Sequence, residues 1–217
     1  LGSSPERKFS ETYQAGALSF EFTYLKDKLI CNSGYFQNQR HQLNNISRTT
    51  AAHSTLTLNN SSICNFKRGN YGKKFVDKPF KVFDKKISKE NNKWLIEAKH
   101  DGYQKKYGII HHRIIEFYPK EFKLIGCDKI ISQKKIKRNI FELRFHMYPG
   151  SKITKTIDGS IILIEIGSSG WKFKCENNFI DIEDGLFFGK KNSYKENQNI
   201  CVYGETGDKI KSIKWEF

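Results

Sequence analysis

The stretch "FELRFHMY", residues 141–148, decides the fold class of this 217-residue chain. Phe141, Leu143, Phe145 and Met147 fall on one face of an extended backbone, and charged, histidine and tyrosine side chains take the other face. This period of two predicts a β-strand with one face buried in an apolar core and the other face polar.

The same alternation recurs on both sides of this stretch. "ALSFEFTYLKDKLICNSG" (17–34) is typical of a hairpin that stops at Gly34, and the run 94–131 is broken at Asp101-Gly102 and at Pro119. Two later strands are expected to point apolar residues inward, namely Trp171, Phe173 and Cys175 in 170–176 and Ile213, Trp215 and Phe217 in 212–217. Short strands at turn spacings of about 8 to 12 residues indicate an antiparallel sandwich.

We therefore predict an all-β chain, a two-layer antiparallel β-sandwich that forms one domain over residues 1–217. No stretch shows a convincing helical period. Asp158-Gly159, between two β-branched runs, predicts a hairpin with a type I′ turn. The polar segment 36–47, "FQNQRHQLNNIS", has no period and is expected to be an irregular loop.

The chain carries 38 Lys and Arg against 23 Asp and Glu, a net charge of +15, which makes a polyanion the natural partner to consider. The competing interpretation is compositional, because Lys, Ile and Asn are abundant throughout, as an AT-rich genome would impose. "KKIKR" (134–138) is the only compact basic cluster. Nucleic acid is not expected as a partner, because the aromatic residues alternate inward and form no exposed stacking series.

Other features exclude several protein classes. The five cysteines are odd in number and never paired as C-x-x-C, which argues against a zinc ribbon and a disulfide framework. The longest dense apolar patch, "IILIEI" at 161–166, is far shorter than the roughly 18 to 20 residues of a membrane-spanning helix. We expect no membrane partner. The start at Leu1 without Met leads us to expect a piece of a longer protein.

A single histidine stands out in "SRTTAAHSTLTLNN", residues 47–60. In an extended backbone His53, Thr55 and Thr57 point one way, and the small residues before His53 allow another group to come close. A structural imidazole bonded to neighbouring backbone would give the same pattern, so the stretch alone leaves both roles open.

Five segments in order resemble the heparinase II/III family of polysaccharide lyases. "RTTAAHSTLTLNNSS" is similar to the family segment R-x-T-x-A-H-N-T-x-x-x-D-G, with Ser54 where most members have Asn. "QAGALSFEF" (14–22), "LICNSGY" (29–35), "HDGYQKKYGIIHHRIIEF" (100–117) and "FELRFHMYPG" (141–150) resemble strands around it. The resemblance covers nearly the whole chain and implies the family's C-terminal β-sandwich, without its N-terminal α/α toroid.

The resemblance also implies a chemistry. Such lyases cleave uronic-acid polysaccharides by β-elimination, in which a base removes the C5 proton and an acid protonates the leaving C4 oxygen. The family takes a tyrosine and an Asn or His from the toroid, while the sandwich contributes a histidine and a metal-binding cluster. His53 matches that histidine and is the expected catalytic residue.

The departures from the family pattern change the expected site. Where the family reads H-x-H-x-D-A-L-S-F-E, this chain has Thr12, Gln14 and Gly16 in place of His, His and Asp, and the aspartate of the next strand is Asn32. One imidazole and two carboxamides are a poor zinc set, so we expect no metal and no cofactor. We instead expect His53 to be held by hydrogen bonds near Gln14 and Asn32.

Two functions stay open. In the first, the chain is the substrate-facing β domain of a lyase-like enzyme, whose partners are an anionic polysaccharide and the toroid of its own parent protein. Its expected substrate-binding residues are Gln14, Asn32, Arg48, His111 and Arg113. In the second, it is a degenerate, non-catalytic glycan-binding or structural module. The resemblance favours the bacterial periplasm or cell envelope and leaves the cytoplasm open, so the location stays unknown.

Overall fold

The computed structural model describes residues 1–69, 73–133, 138–207 and 209–217. Short helices are present at α1 (Gln42–Ser47) and α2 (Gln104–Tyr107), with 3₁₀ turns at Arg7–Phe9 and Thr50–Ala52. The strands are β1 (Phe22–Tyr24), β2 (Asp27–Cys31), β3 (Leu56–Leu58), β4 (Phe66–Arg68), β5 (Lys74–Val76), β6 (Val82–Glu90), β7 (Lys93–His100), β8 (Ile109–Tyr118), β9 (Lys123–Ser132), β10 (Ile140–Met147), β11 (Lys152–Lys155), β12 (Ile161–Ile166), β13 (Ser169–Cys175), β14 (Phe179–Lys190), β15 (Ser193–Glu205) and β16 (Ile210–Glu216).

These strands form two main sheets. One has the order β11-β12-β13-β16-β9-β8-β7-β6, and the other has β1-β2-β10-β15-β14, with β3 also paired to β10. β4 and β5 form a separate small hairpin. The paired strands run antiparallel. The predicted all-β, antiparallel sandwich is therefore confirmed.

The core lies where the apolar face of β10 meets the larger sheet. Phe141, Leu143, Phe145 and Met147 are all fully buried, as their alternation predicts. The Phe145 ring contacts Trp215 of β16, with the ring centroids 4.8 Å apart. Burial of each such large apolar side chain contributes about 1.5–3 kcal/mol, so this interlocking of aromatic rings holds the two sheets together.

The predicted hairpins are present, but one turn differs from expectation. β1 pairs with β2, and β11 pairs with β12 across residues 156–160. Gly159 has φ of +72°, whereas Asp158 is not among the positive-φ residues, so the type I′ assignment is wrong. The Asp158 carboxylate accepts hydrogen bonds from the Thr156 hydroxyl (2.6 Å) and the Ser160 amide (3.2 Å), which stabilises a longer loop instead.

The expectation of an irregular loop over 36–47 is also wrong in part, because α1 begins at Gln42. The His41 ring accepts a hydrogen bond from the Leu43 amide at 3.2 Å, and so caps the first turn. At the far side of the helix the buried Asn44 carboxamide donates to the Phe36 carbonyl at 2.6 Å. A side-chain hydrogen bond to the preceding segment and a histidine cap thus stabilise a helix that has no apolar period.

Two further expectations concern particular stretches. The strand predicted around His53 is restricted to Leu56–Leu58. Thr55 and Thr57, which were predicted to share a polar face with His53, are both buried. Most of the basic cluster 134–138 lies outside the described residues. In the part of the chain that the structure describes, neither short helix nor any other has the length and apolar character to cross a membrane.

Candidate functional site

His53 lies at the end of the 3₁₀ turn Thr50–Ala52, beside the residues that precede β1. Its Nδ1 is 2.8 Å from the Thr49 carbonyl oxygen, and its Nε2 is 3.0 Å from Gln14 Oε1. Only 4% of the residue is exposed. The ring is therefore enclosed, with a protein partner at each nitrogen.

The protonation of this ring follows from its surroundings. Burial lowers the pKa of His53 to about 4, so the imidazole is neutral near pH 7. Since the Thr49 carbonyl can only accept, Nδ1 carries the single proton and Nε2 presents a lone pair. Rotating the Gln14 carboxamide by half a turn brings its NH₂ group to that lone pair, where it can donate a hydrogen bond. In the observed orientation the Gln14 oxygen would instead accept a hydrogen bond from Nε2–H of a protonated ring. Gln14 can thus satisfy either state.

Gly16 makes room for the ring. A Cβ at residue 16 would lie 2.4 Å from His53 Cδ2, well inside van der Waals contact. The resemblance leads one to expect an aspartate at this position. The observed ring position is compatible with glycine alone, because the imidazole occupies the space that any side chain would need.

Asn32 joins the cluster through the backbone next to His53 rather than through the ring. Its Oδ1 accepts from the Ser54 amide at 2.9 Å, and its Nδ2 donates to Glu21 Oε1 at 3.4 Å. Gln14 and Asn32 are both half-buried residues, whereas His53 is enclosed. The structure therefore brings the three expected positions together, with His53 inside and the two carboxamides at the edge.

This donor set does not fit a zinc ion. His53 Nε2 is engaged by a carboxamide at hydrogen-bond distance, and the Asn32 oxygen is directed to a backbone amide. Zinc sites in proteins use thiolate, imidazole and carboxylate ligands. Among the described residues no group of three His, Cys, Asp or Glu side chains is placed to hold a metal ion.

A second histidine holds the other side of the same turn, which sequence reasoning missed. His146 Nε2 lies 2.9 Å from the Ala51 carbonyl and Nδ1 lies 3.2 Å from the Ser33 hydroxyl. Burial lowers the pKa of His146 to about 3, so this ring is neutral too. Two imidazoles thus hold the segment 49–52 in place. The sequence of β10 contains no local pattern that predicts the contact between His146 and this segment.

Arg48 is buried beneath the start of this turn. Its guanidinium donates to three backbone carbonyls, those of Ser10 (2.9 Å), Tyr13 (2.9 Å) and Lys74 (3.2 Å). It also lies over the Phe66 ring, 4.0 Å from the centroid. With 1% of the residue exposed, Arg48 places a positive charge beneath the surface and offers almost no area for direct contact.

His111 and Arg113 lie in the core, away from any surface a polysaccharide could reach in this conformation. His111 Nε2 is 2.6 Å from Asp128 Oδ1, and Arg113 Nε donates to the same oxygen at 2.8 Å. Trp215 Nε1 donates to the other carboxylate oxygen at 2.8 Å. His111 and Arg113, both predicted to bind substrate, are therefore hydrogen-bonded to Asp128, a residue that sequence reasoning did not identify.

The charge state of this network is set by the pairing. Burial acts to raise the pKa of Asp128, yet the Arg113 guanidinium and the His111 hydrogen bond hold it well below its usual range. For His111, burial lowers the pKa and outweighs the effect of the carboxylate. Both lowered pKa values agree with one charge state, in which Asp128 is ionised and paired with Arg113 while His111 is neutral. The arrangement stabilises the fold and offers no free proton carrier.

Comparison with known proteins agrees with the observed fold. The model of a family described as Heparinase II/III-like, C-terminal, matches residues 1–216. No curated protein matches the chain.

Solved structures give the same result at low sequence identity. A heparinase III structure, the BT4657 gene product, superposes with a TM-score of 0.72 at 16% identity, covering 94% of this chain and 29% of that one. The heparan sulfate lyase HepC from Pedobacter heparinus gives a TM-score of 0.73 at 14% identity, covering 94% and 30%. The chain thus spans about 30% of the length of these proteins.

Proposed function

The chain belongs to the Heparinase II/III-like C-terminal family, and from this premise we propose that it is the β-sandwich domain of a polysaccharide lyase-like protein. Its role is to bind a uronic-acid-containing polysaccharide that is presented for β-elimination. The observation that carries the proposal is the meeting of Gln14 and Asn32 beside His53, in a chain that the family model matches over residues 1–216.

We propose different roles for the residues of this cluster. The half-buried carboxamides of Gln14 and Asn32 have donors and acceptors that suit sugar hydroxyls. His53 is enclosed and neutral, so its task is to hold the Thr49 turn that lies behind them. The proton transfers of β-elimination are accordingly left to groups outside these 217 residues, in the toroid that we propose for the parent protein.

The second candidate function is a glycan-binding module without catalysis. The enclosure of His53 favours it, because a ring sealed by Gly16 and Gln14 cannot reach a sugar C5 proton in this conformation. Activity of the full-length parent separates the two candidates. Unsaturated uronate released by the parent supports the lyase, and glycan binding without release supports the module.

The 217-residue chain itself can be tested with heparin, heparan sulfate and alginate. We expect binding that weakens as salt rises, because the partner is polyanionic, and no increase in unsaturated-uronate absorbance. Absence of binding to all three polysaccharides at low salt would overturn the proposal. Release of unsaturated uronate by this chain alone would show that the proton-transfer groups had been assigned to the wrong domain.

A further inference from the structure

A cleft of about 870 Å³ opens between the end of α1, the β4–β5 hairpin and the segment that carries α2. This volume lies within the range of small-ligand sites in proteins. Sequence reasoning did not find the cleft, because the walls come from four separate stretches of the chain, within residues 45–49, 60–66, 74–80 and 101–106. It adjoins the His53 turn through Thr49, which contributes to its lining.

Positive charge dominates the lining. Lys74, Lys78, Lys105 and Lys106 all contribute, and Asp101 is the single acidic residue among the described lining residues. That carboxylate accepts from the Lys81 amide at 2.7 Å and so has a local structural role. The cleft therefore presents an excess of cations to solvent.

The lysines of the cleft differ from other lysines nearby in having no ion pair. On the adjoining surface Lys73 lies 2.9 Å from Glu11, and Lys67 lies 3.1 Å from Asp77. Within the described residues, no Asp or Glu lies within ion-pair distance of any of the four cleft lysines. Lys74 instead bonds the Asn45 side chain, and Lys106 donates to the Ser61 hydroxyl at 2.8 Å.

Arg48 adds a charge at the base of the cleft. Its partners are backbone carbonyls and the Phe66 ring, and no described carboxylate pairs with it. A buried cation without a counter-ion is costly, and its field is focused into a concave site with low-dielectric walls. Desolvation, with the nearby Arg68 and Arg48 charges, lowers the pKa of Lys74, as expected where cations gather.

The remaining lining suits a sugar. Asn65, Ser62 and Asn45 supply hydrogen-bonding groups, and the half-buried Phe66 and the exposed Pro79 supply apolar surface. Polar groups beside apolar surface match a pyranose ring, which carries hydroxyls around an apolar face. The Thr49 carbonyl bonds His53 while Thr49 itself lines the cleft, so an occupant would contact the turn that His53 holds.

We propose that this lysine-lined cleft is a subsite for an anionic polysaccharide, in which sulfate or carboxylate groups meet Lys78, Lys105 and Lys106 above the buried Arg48. The inference rests on the proposed function and specifies where the polysaccharide binds. Lysine suits this role as a mobile point charge on a flexible stem, which can follow anions at varied positions along a sugar chain.

The test uses the 217-residue chain and two size-defined probes, a heparin octasaccharide and an unsulfated alginate octasaccharide. Lys105→Gln/Lys106→Gln removes two charges from the exposed surface of α2. We expect binding of heparin to weaken roughly five- to tenfold, since each exposed ion pair contributes modestly. The slope of log affinity against log salt should fall by about one to two, because fewer counterions are released. Lys78→Gln should act in the same direction.

The matched control is Lys190→Gln/Lys191→Gln, which removes two exposed lysines at the end of β14 and in the turn that follows it, outside the cleft. We expect less than about a twofold change and an unaltered salt slope. Weakening of heparin binding alone identifies sulfate as the recognised group, and weakening of both probes identifies carboxylate. Equal effects of the cleft and control pairs on a chain that binds would overturn the cleft assignment, whereas an unaltered chain that binds neither probe would overturn the proposed function as well.

Discussion

The molecule contains two buried histidine clusters that differ in the charge of the groups that hold the ring. His53 is held by uncharged partners, a backbone carbonyl and a carboxamide, close to the surface. His111 is held in the core by Asp128, which is itself paired with Arg113. The first cluster stays neutral and can border a binding surface, whereas the second depends on a buried charge pair. The role of a histidine in a strand-rich stretch therefore cannot be read from the sequence until its hydrogen-bond partners are known.

The two clusters are joined by one side chain. Arg113 Nη1 donates to the carbonyls of Ser54 (2.7 Å) and Leu18 (2.8 Å), while its other nitrogens meet Asp128. Ser54 directly follows His53, and Leu18 lies two residues after Gly16, against which the His53 ring packs. The core ion pair therefore positions the backbone on both sides of the neutral cluster.

The largest expected effect comes from Asp128→Asn, which removes the charge of the core cluster. Arg113 would remain buried without its counter-ion, so the free energy of unfolding should fall by about 3–5 kcal/mol. Urea denaturation at neutral pH measures the change. Asp181→Asn, which removes the half-exposed carboxylate 3.4 Å from Lys155, is the control and should cost no more than about 1 kcal/mol. Equal losses would mean that the core pair has no special role.

A smaller loss is expected from Gly16→Ala, which acts on the neutral cluster. The added methyl would lie 2.4 Å from a ring that two hydrogen bonds hold in place, so we expect about 2–3 kcal/mol, near the top of the range for overpacking. Gly170→Ala is the matched control, because a Cβ there has no atom within 4 Å. If Gly16→Ala proved as mild as the control, the ring would be freely movable, and its enclosure would not bar it from catalysis.

The third prediction tests the pH dependence of the neutral cluster. The folded pKa of His53 is about 4 and the ordinary value is 6.5, so between these values the unfolded chain binds a proton that the folded chain does not. The stability from neutral His53 is therefore complete above pH 6.5 and is lost as pH falls toward 4. From pH 7 to 5, His53→Gln should lose about 2 kcal/mol less stability than the unaltered chain.

Ser47→Ala serves as the control for this comparison, because it removes a buried hydroxyl bonded to the Asn44 carbonyl but no titratable group. Its stability should follow pH as that of the unaltered chain does. Unfolding free energies at both pH values provide the measurement. The same pH dependence in His53→Gln as in Ser47→Ala would contradict the neutral, enclosed state of the ring.

The sequence predicted which residues form much of the site, but it did not predict the contacts that these residues make. The family resemblance pointed to residues 14, 32 and 53, and Gln14 does meet the His53 ring. It did not indicate that Asn32 would bond the Ser54 amide, or that His146 would clasp the same turn from β10. Those contacts join residues 22 and 95 positions apart, and nothing in either local stretch encodes them.

For Arg48, His111 and Arg113, the residue type alone suggested a binding role that the observed burial does not support. Their side chains suggest an anionic ligand, yet each is buried and occupied by protein partners. Residue type reports what a side chain can bind, and burial decides what is available to it. The cleft lysines illustrate the converse, since Lys78 and Lys105 are unremarkable in sequence and become neighbours of one cavity through folding.

The sequence by itself determined the strands in which the alternation is regular, because a period of two is a local property that any extended backbone converts into one apolar and one polar face. That sufficed for Phe141 to Met147, for Ile213 to Phe217 and for the all-β class. The tertiary structure alone decided which polar side chains are enclosed and which border a cleft. The reason is that burial and charge pairing depend on sheet order and on loops that cross the sheets, and these bring together residues whose separation along the chain carries no periodic signal.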